Sequence, residues 1–261
     1  MVQNLDDLKK LRKMILESAY QAGGGHVGGS FSVLELLYVI FAKFISVDSH
    51  KYKVILSKGH SSLALYACME HFGYLNPGET KTFMSSGSRL AGHPEHSLLP
   101  FLSFTTGSLG HGLGLSAGLA LGSKLIGNEQ KHFCIVGDGE LNEGSNWESM
   151  LFISQHKLNN LILIVDYNKY ESLDHIDNIL SVEPLGDKLR SFGFKVIEIN
   201  ANNVTEVEDF FNSFHFDEEK PVALIGHTIK GFGLSFTSAE TKWHYRAPNS
   251  EELSKAFDEL S

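Results

Sequence analysis

Leu5, Leu8, Leu11, Ile15 and Ala19 recur every three or four residues with charged positions between them, which lays one apolar stripe along a helix. The stripe predicts a helix over residues 5–22, with Asn4 as its N-cap and Gly23 to Gly25 as its stop. Helical patterns follow over 33–44 and 61–71, and 73–100 is loop-rich, with Gly, Pro, Ser and His in quick succession. Four short runs of β-branched and aromatic residues, at 132–136, 161–166, 194–199 and 222–228, read as buried strands. Helical patterns over 143–155, 185–192 and 204–214 lie between them, and a closing helix over 250–260 opens with Ser250 ahead of two glutamates. Strand and helix alternate as they do in an α/β fold whose mostly parallel sheet is covered by helices on both faces. No repeat, low-complexity segment or linker interrupts the pattern, so residues 1–261 are expected to form one domain.

Composition narrows the function classes. With 42% hydrophobic and 20% charged residues in 261, disordered and collagen-like chains are excluded. Residues 1–13 mix charge with apolar positions and form neither a signal peptide nor a membrane span, so the expected location is cytoplasmic. Cys68 and Cys134 lie in apolar surroundings without ligand-like spacing and read as buried thiols. A net charge of -9, with 22 dispersed Lys and Arg, argues against a nucleic-acid footprint and against attraction to anionic membrane. It also means that a phosphate ligand must be held by backbone amides, helix N-termini or a metal.

Two places supply such a metal. Ligands of open parallel sheets bind beyond the carboxyl ends of strands, here after Val136 and after Val165. The first end reads Gly137-Asp138-Gly139-Glu140, two glycines for a tight turn around a hard oxygen donor. The second reads Asp166-Tyr167-Asn168-Lys169, with an amide oxygen at the matching height of the next strand. Two such oxygens, two from a diphosphate, a main-chain carbonyl and a water complete an octahedral magnesium shell. Gly-Asp-Gly by itself is more often a surface turn; Asn168 at this distance changes the odds.

The segment from Gly137 to Lys169, with 28 residues between Gly139 and Asn168, resembles the thiamine diphosphate-binding segment of transketolase. The likeness extends over nearly the whole chain, through Gly25-His26-Val27-Gly28-Gly29-Ser30, Ser57-Lys58-Gly59-His60, Gly92-His93-Pro94-Glu95, Thr106-Gly107-Ser108-Leu109-Gly110 and Lys230-Gly231-Phe232-Gly233. What it implies is the N-terminal, diphosphate-binding subunit of a split transketolase, which helps move a two-carbon ketol unit from a ketose to an aldose. By the same resemblance, Asp138 and Asn168 ligate Mg2+ (or Ca2+ or Mn2+) by side chain and Tyr170 by its carbonyl, Gly139 gives its N–H to the diphosphate, and Gly137 approaches the cofactor. His60, Gly107 and Leu109 match cofactor-lining positions, while His26, His93 and His244 match those that face substrate carbonyl and hydroxyls. His26, His60, His93 and His244 are thus the candidate catalytic side chains. Ketol transfer creates and discharges an alkoxide, and imidazole can donate or relay protons near neutral pH. His50, His71, His132, His156 and His215 take the bland reading of surface or satisfied buried side chains.

Rival readings attach to other residues. His93-x-x-His96 with Glu95 suggests zinc, yet it sits in a Pro-containing loop with no third ligand evident. Gly112-Leu113-Gly114-Leu115-Ser116-Ala117 satisfies the G-x-G-x-x-A pattern of a dinucleotide-binding oxidoreductase, although the small residues from Gly107 to Gly122 better suit a helix packed on another backbone at a subunit interface. The α subunit of a thiamine-dependent 2-oxoacid dehydrogenase carries the same metal motif but lacks the loops of His26, His60 and His93. Glu143 matches a family glutamate that spans the dimer contact. For Glu143 and Glu35 alike the bland alternative is a solvated helix face.

A thiamine enzyme needs a glutamate on N1′ of the aminopyrimidine, which in transketolases sits in a second, pyrimidine-binding domain. The resemblance covers only the diphosphate-binding domain, so the expected partner is a separate C-terminal transketolase subunit, in a dimer of heterodimers with the cofactor between chains. Val27, His111 and the run Glu171-Ser172-Leu173-Asp174 depart from the family pattern, so the cofactor pocket is expected to differ in detail. Both sugars and sugar phosphates remain open as substrates.

Overall fold

The computed structural model describes residues 2–216 and 219–261. In chain order the elements are α1 (Val2–Ala22), α2 (Val27–Lys43), β1 (Tyr52–Leu56), α3 (Ser62–His71), α4 (Gly112–Leu125), β2 (Lys131–Gly137), α5 (Gly144–Gln155), β3 (Leu161–Tyr167), α6 (Ile176–Ile179), α7 (Leu185–Ser191), β4 (Lys195–Asn200), α8 (Val204–Ser213), β5 (Val222–His227) and α9 (Ser250–Glu259). All four strand pairings are parallel and the order is β1-β2-β3-β5-β4. The sheet is sided because successive strand residues face opposite ways. Phe133, Ile135, Ile162 and Ile164 join a core with α1, α2, α3 and α8, whereas Cys134, Val136, Leu163 and Val165 join a second with α4, α5 and α7. This is the α/β arrangement the pattern predicts, with both cysteines buried. Among the described residues no helix is long and apolar enough to cross a membrane.

Local differences have physical causes. β1 escaped the pattern because Lys51 and Lys53 flank Tyr52 at the sheet edge, where one side is open to water. α2 starts at Val27, six residues before the apolar periodicity suggests. Gly28 and Gly29 look like breakers in the sequence but serve close approach: a Cβ on Gly28 would lie 3.0 Å from the Trp243 carbonyl, and one on Gly29 3.0 Å from Ser61 Oγ. Asn4 is not an N-cap but lies within α1, where its amide donates to Glu208 Oε1 at 2.7 Å and accepts from the Tyr38 hydroxyl at 3.2 Å. α9 starts at Ser250 as expected, but Asn249 caps it, in a reciprocal capping box with Glu252.

Candidate active site

The parallel register sets Val136 beside Val165 and Gly137 beside Asp166, so the turns that follow β2 and β3 leave the sheet at one level. Asp138, 2% exposed, opens the first turn. Its Oδ1 accepts the Gly139 N–H at 2.8 Å, so this N–H is already engaged by the carboxylate, and its Oδ2 accepts the Lys169 N–H at 2.5 Å. Lys169 holds a left-handed φ of 64°, a conformation that costs a side-chain-bearing residue about 1 kcal/mol and here aims its N–H at Asp138. Asn168 is 6% exposed; its Oδ1 accepts the Tyr170 N–H at 3.0 Å, and its Nδ2 donates to Ser32 Oγ at 3.2 Å and Asp166 Oδ2 at 3.4 Å. Burial, reinforced by the Asp166 carboxylate, pushes the Asp138 carboxyl up to about 7.

Beneath these turns lies a polar layer. Asp166 is fully buried, ion-paired with Lys58 and hydrogen-bonded by Ser32 Oγ and Thr228 Oγ1. Glu140 ties loops together by accepting from the Ser57 hydroxyl, the Gly110 N–H at 2.9 Å and the Gly137 N–H at 3.2 Å. Burial raises its carboxyl pKa.

Four imidazoles close the site. His26 precedes α2, His60 lies in the 3-10 turn before α3, His93 comes from the long loop and His244 ends the turn after Glu240. The His26 ring centroid is 5.2 Å from that of His60, 5.9 Å from His93 and 5.2 Å from His244. The His93 ring rests against Gly107, where φ is +138° and an added Cβ would lie 2.7 Å from the ring. Burial lowers all four: His26 to about 4 and His244 to about 3, each also pushed by Lys230; His60 well below the usual imidazole value; and His93 below it as well. At neutral pH the rings are therefore uncharged.

His26, His60, His93, His244, Gly107, Leu109, Gly137, Asp138, Gly139, Asn168 and Tyr170, chosen from loops far apart in sequence, all line one cavity of about 290 Å³. Sequence reasoning gave no role to Lys58 and Glu140, which also line it and were marked only by the stretches carrying the resemblance, since a lone lysine or glutamate after a strand reads as surface charge. Glu171 and Ser172, from the run that departs from the family pattern, lie on the same wall. Gly112 to Ala117 is the first part of α4 with no strand ahead of it, so it is not a dinucleotide-binding turn. His96 Nδ1 lies 2.6 Å from the Leu102 carbonyl, not on His93. Glu35 is not on a solvated face: it is 2% exposed and ion-paired with Arg12. Glu143, exposed at the start of α5, packs its Cβ beside Gly110.

Residues 4–260 match the model of the transketolase thiamine diphosphate binding domain. The chain belongs to this family. One of the subunits of the apulose-4-phosphate transketolase of Actinobacillus succinogenes is 36% identical over 255 residues, which cover 95% of this chain and 92% of that protein. The 6-deoxy-6-sulfo-D-fructose transketolase subunit SqwG of Clostridium sp. (strain MSTE9) is 33% identical over 256 residues, 96% of this chain and 93% of that one. The transketolase structure from Campylobacter jejuni superposes with a TM-score of 0.90 at 25% identity, covering 100% of this chain and 43% of that one. The chain therefore spans about two fifths of the length of the solved transketolases it matches. As a member of this family it has a cavity that suits a diphosphate and its counter-cation. A buried carboxylate whose proton affinity is raised beside a second carboxylate is a charge deficit that a divalent cation relieves, and Asp138, the Asn168 amide and a main-chain carbonyl are hard oxygen donors. Among the described residues no group of three or more His, Cys, Asp or Glu stands where it could hold a metal ion.

Proposed function

We propose that this chain is the diphosphate-binding subunit of a two-subunit, cytoplasmic transketolase that moves a two-carbon ketol unit from a ketose to an aldose. One observation carries the reading: the oxygen donors Asp138 and Asn168 and four uncharged imidazoles share a single cavity. Bound thiamine diphosphate supplies the nucleophilic carbon of the reaction. Asp138, Asn168 and the Tyr170 carbonyl hold the Mg2+, which Ca2+ or Mn2+ can replace, and Gly137, Gly139, Gly107, Leu109 and His60 border the cofactor. The Lys58 ammonium adds positive charge to a wall otherwise rich in carboxylates. His26, His93 and His244 hydrogen-bond substrate oxygens, and the uncharged rings of His26 and His93 can give a proton at one nitrogen and take one at the other, as alkoxide chemistry requires. Burial of the rings excludes water that would compete for those hydrogen bonds.

One observation supports a separate partner that carries the pyrimidine-binding domain and the activating glutamate. Relatives matched over 92% and 93% of their own length are named as transketolase subunits. Residues 1–261 then act as one domain in a dimer of heterodimers, with Glu143 at the contact between chains. The partner side of the cavity decides whether the sugars are phosphorylated. A 2-oxoacid dehydrogenase role is disfavoured by the four imidazoles. The test is ketol transfer, with ketose and 2-oxoacid donors, by the purified chain by itself and mixed with a pyrimidine-binding transketolase partner. The mixture is expected to turn over ketoses only; turnover by the unmixed chain sinks the two-subunit reading. Asp138→Ala is expected to abolish Mg2+-dependent thiamine diphosphate binding, measured by calorimetry, and unchanged binding means the metal ligands are misassigned.

A further inference from the structure

Of the four imidazoles, only His244 has a hydrogen-bond partner among the described residues. Its Nδ1 lies 3.0 Å from Lys230 Nζ. The same ammonium donates to the Glu171 carbonyl at 2.6 Å, one residue beyond Tyr170. Lys230 is 2% exposed, and its stem is pinned: the Gly231 N–H donates to the Gly28 carbonyl at 2.9 Å, and a Cβ on Gly28 would lie 3.3 Å from Lys230 Cγ. Lys230 stands behind the cavity wall while His244 is part of it.

An ammonium has three N–H donors and no lone pair, so an imidazole nitrogen that meets it must be the acceptor. The ring proton of His244 is then on Nε2. We propose that Lys230 is a positioning residue that fixes His244 in its Nε2–H tautomer, so that this ring meets the substrate only as a hydrogen-bond donor. The ligand atom it selects is an oxygen with a free lone pair, a ketose carbonyl or a hydroxyl that donates elsewhere. That part rests on the transketolase reading; the tautomer itself does not. Lys230, lowered to about 8 by burial and by Lys58, keeps its charge at neutral pH, while His244, near 3, stays uncharged beside it. The second contact also matters, since one ammonium ties a substrate-facing ring to the loop whose Tyr170 carbonyl is offered to the metal.

The experiment is a long-range proton–nitrogen correlation at pH 7 on the full chain labelled with 15N-histidine, with His244→Gln to assign the signals. The wild type is expected to show His244 with a protonated Nε2 and an unprotonated, hydrogen-bonded Nδ1. Lys230→Met is expected to give mixed tautomers, and Lys230→Arg, which restores a donor, to return the pattern. A protonated Nδ1 in the wild type, or identical patterns in the wild type and Lys230→Met, overturns the proposal. In the reconstituted pair, Lys230→Met is expected to lower kcat/KM for the ketose about tenfold and to add nothing to the loss caused by His244→Gln. Additive losses would also overturn it. If the spectra behave as expected while no mixture transfers a ketol unit, the transketolase reading fails and the tautomer assignment stands.

Discussion

Replacing Arg12 by Met should show what a buried charge costs when its partner is taken away. Arg12 and Glu35 are 5% and 2% exposed, and their ion pair joins α1 to α2. Glu35 Oε2 has no hydrogen-bond partner, so Arg12 is the carboxylate's main compensation. The guanidinium also donates to the Phe232 carbonyl at 3.1 Å and lies 5.6 Å and 5.4 Å from the Phe31 and Phe232 ring centroids. Met keeps most of the stem volume and removes all of these contacts. An uncompensated buried carboxylate costs about 3–5 kcal/mol, and a freed buried carbonyl adds about 1 kcal/mol. For a chain of this size the combined loss is a fall in Tm on the order of 10 °C.

Protonation of Glu35 limits that loss. Burial already raises its carboxyl pKa, against the pull of Arg12, and without Arg12 the rise is larger. Between the unfolded carboxyl value and this raised folded value the folded state binds more protons, so its stability grows as pH falls. The deficit of Arg12→Met should therefore be larger at pH 8 than at pH 6, when both are measured by urea unfolding. Arg12→Met/Glu35→Leu, which removes both charges, should recover at least half of the loss, because apolar groups can replace a buried pair at little net cost. A single variant within about 1 kcal/mol of the wild type at pH 8, or a double variant less stable than the single, would refute the reasoning.

Two further outcomes follow from the site and the sheet. Gly107→Ala forces a Cβ against the His93 ring at a φ of +138°, so it should lose about 1–3 kcal/mol in stability and displace His93, lowering kcat of the reconstituted enzyme more than cofactor affinity; wild-type kinetics would show that the ring is not held there. His132 is fully buried, with Nε2 3.2 Å from Ser123 Oγ, and burial lowers it to about 4, below the 6.5 of the unfolded chain. The unfolded state then takes the proton first, so stability present above pH 6.5 is lost as pH falls toward 4, by about 3 kcal/mol over the window. His132→Phe should remove most of that loss between pH 7 and pH 4.5; an unchanged acid limb would place the titration elsewhere.

Much of the architecture is legible because burial is periodic. Strands β2, β3, β4 and β5 are marked by runs of β-branched and aromatic residues, and α5, α7 and α8 by the apolar stripes that cover them. The same local logic finds Asp138 and Asn168, since both stand directly beyond predicted strands. It fails where long-range contact overrides propensity. Gly28 and Gly29 sit inside α2, where a side chain would meet the Trp243 carbonyl and Ser61 Oγ, and Asn4 lies within α1 and bonds Glu208, 204 positions away.

What the sequence determined by itself is four of the five strands, the oxygen-bearing side chains beyond two of them and, through resemblance, the family. The tertiary structure decided which charges are buried and which way polar groups face. Lys58, Glu35 and Lys230 look like surface residues in one dimension; in three dimensions Asp166, Arg12 and the pair Glu171 and His244 hold them. The physical reason is that desolvation and hydrogen-bond direction depend on neighbours brought from anywhere in the chain, whereas periodicity reports only on neighbours within a turn or a strand.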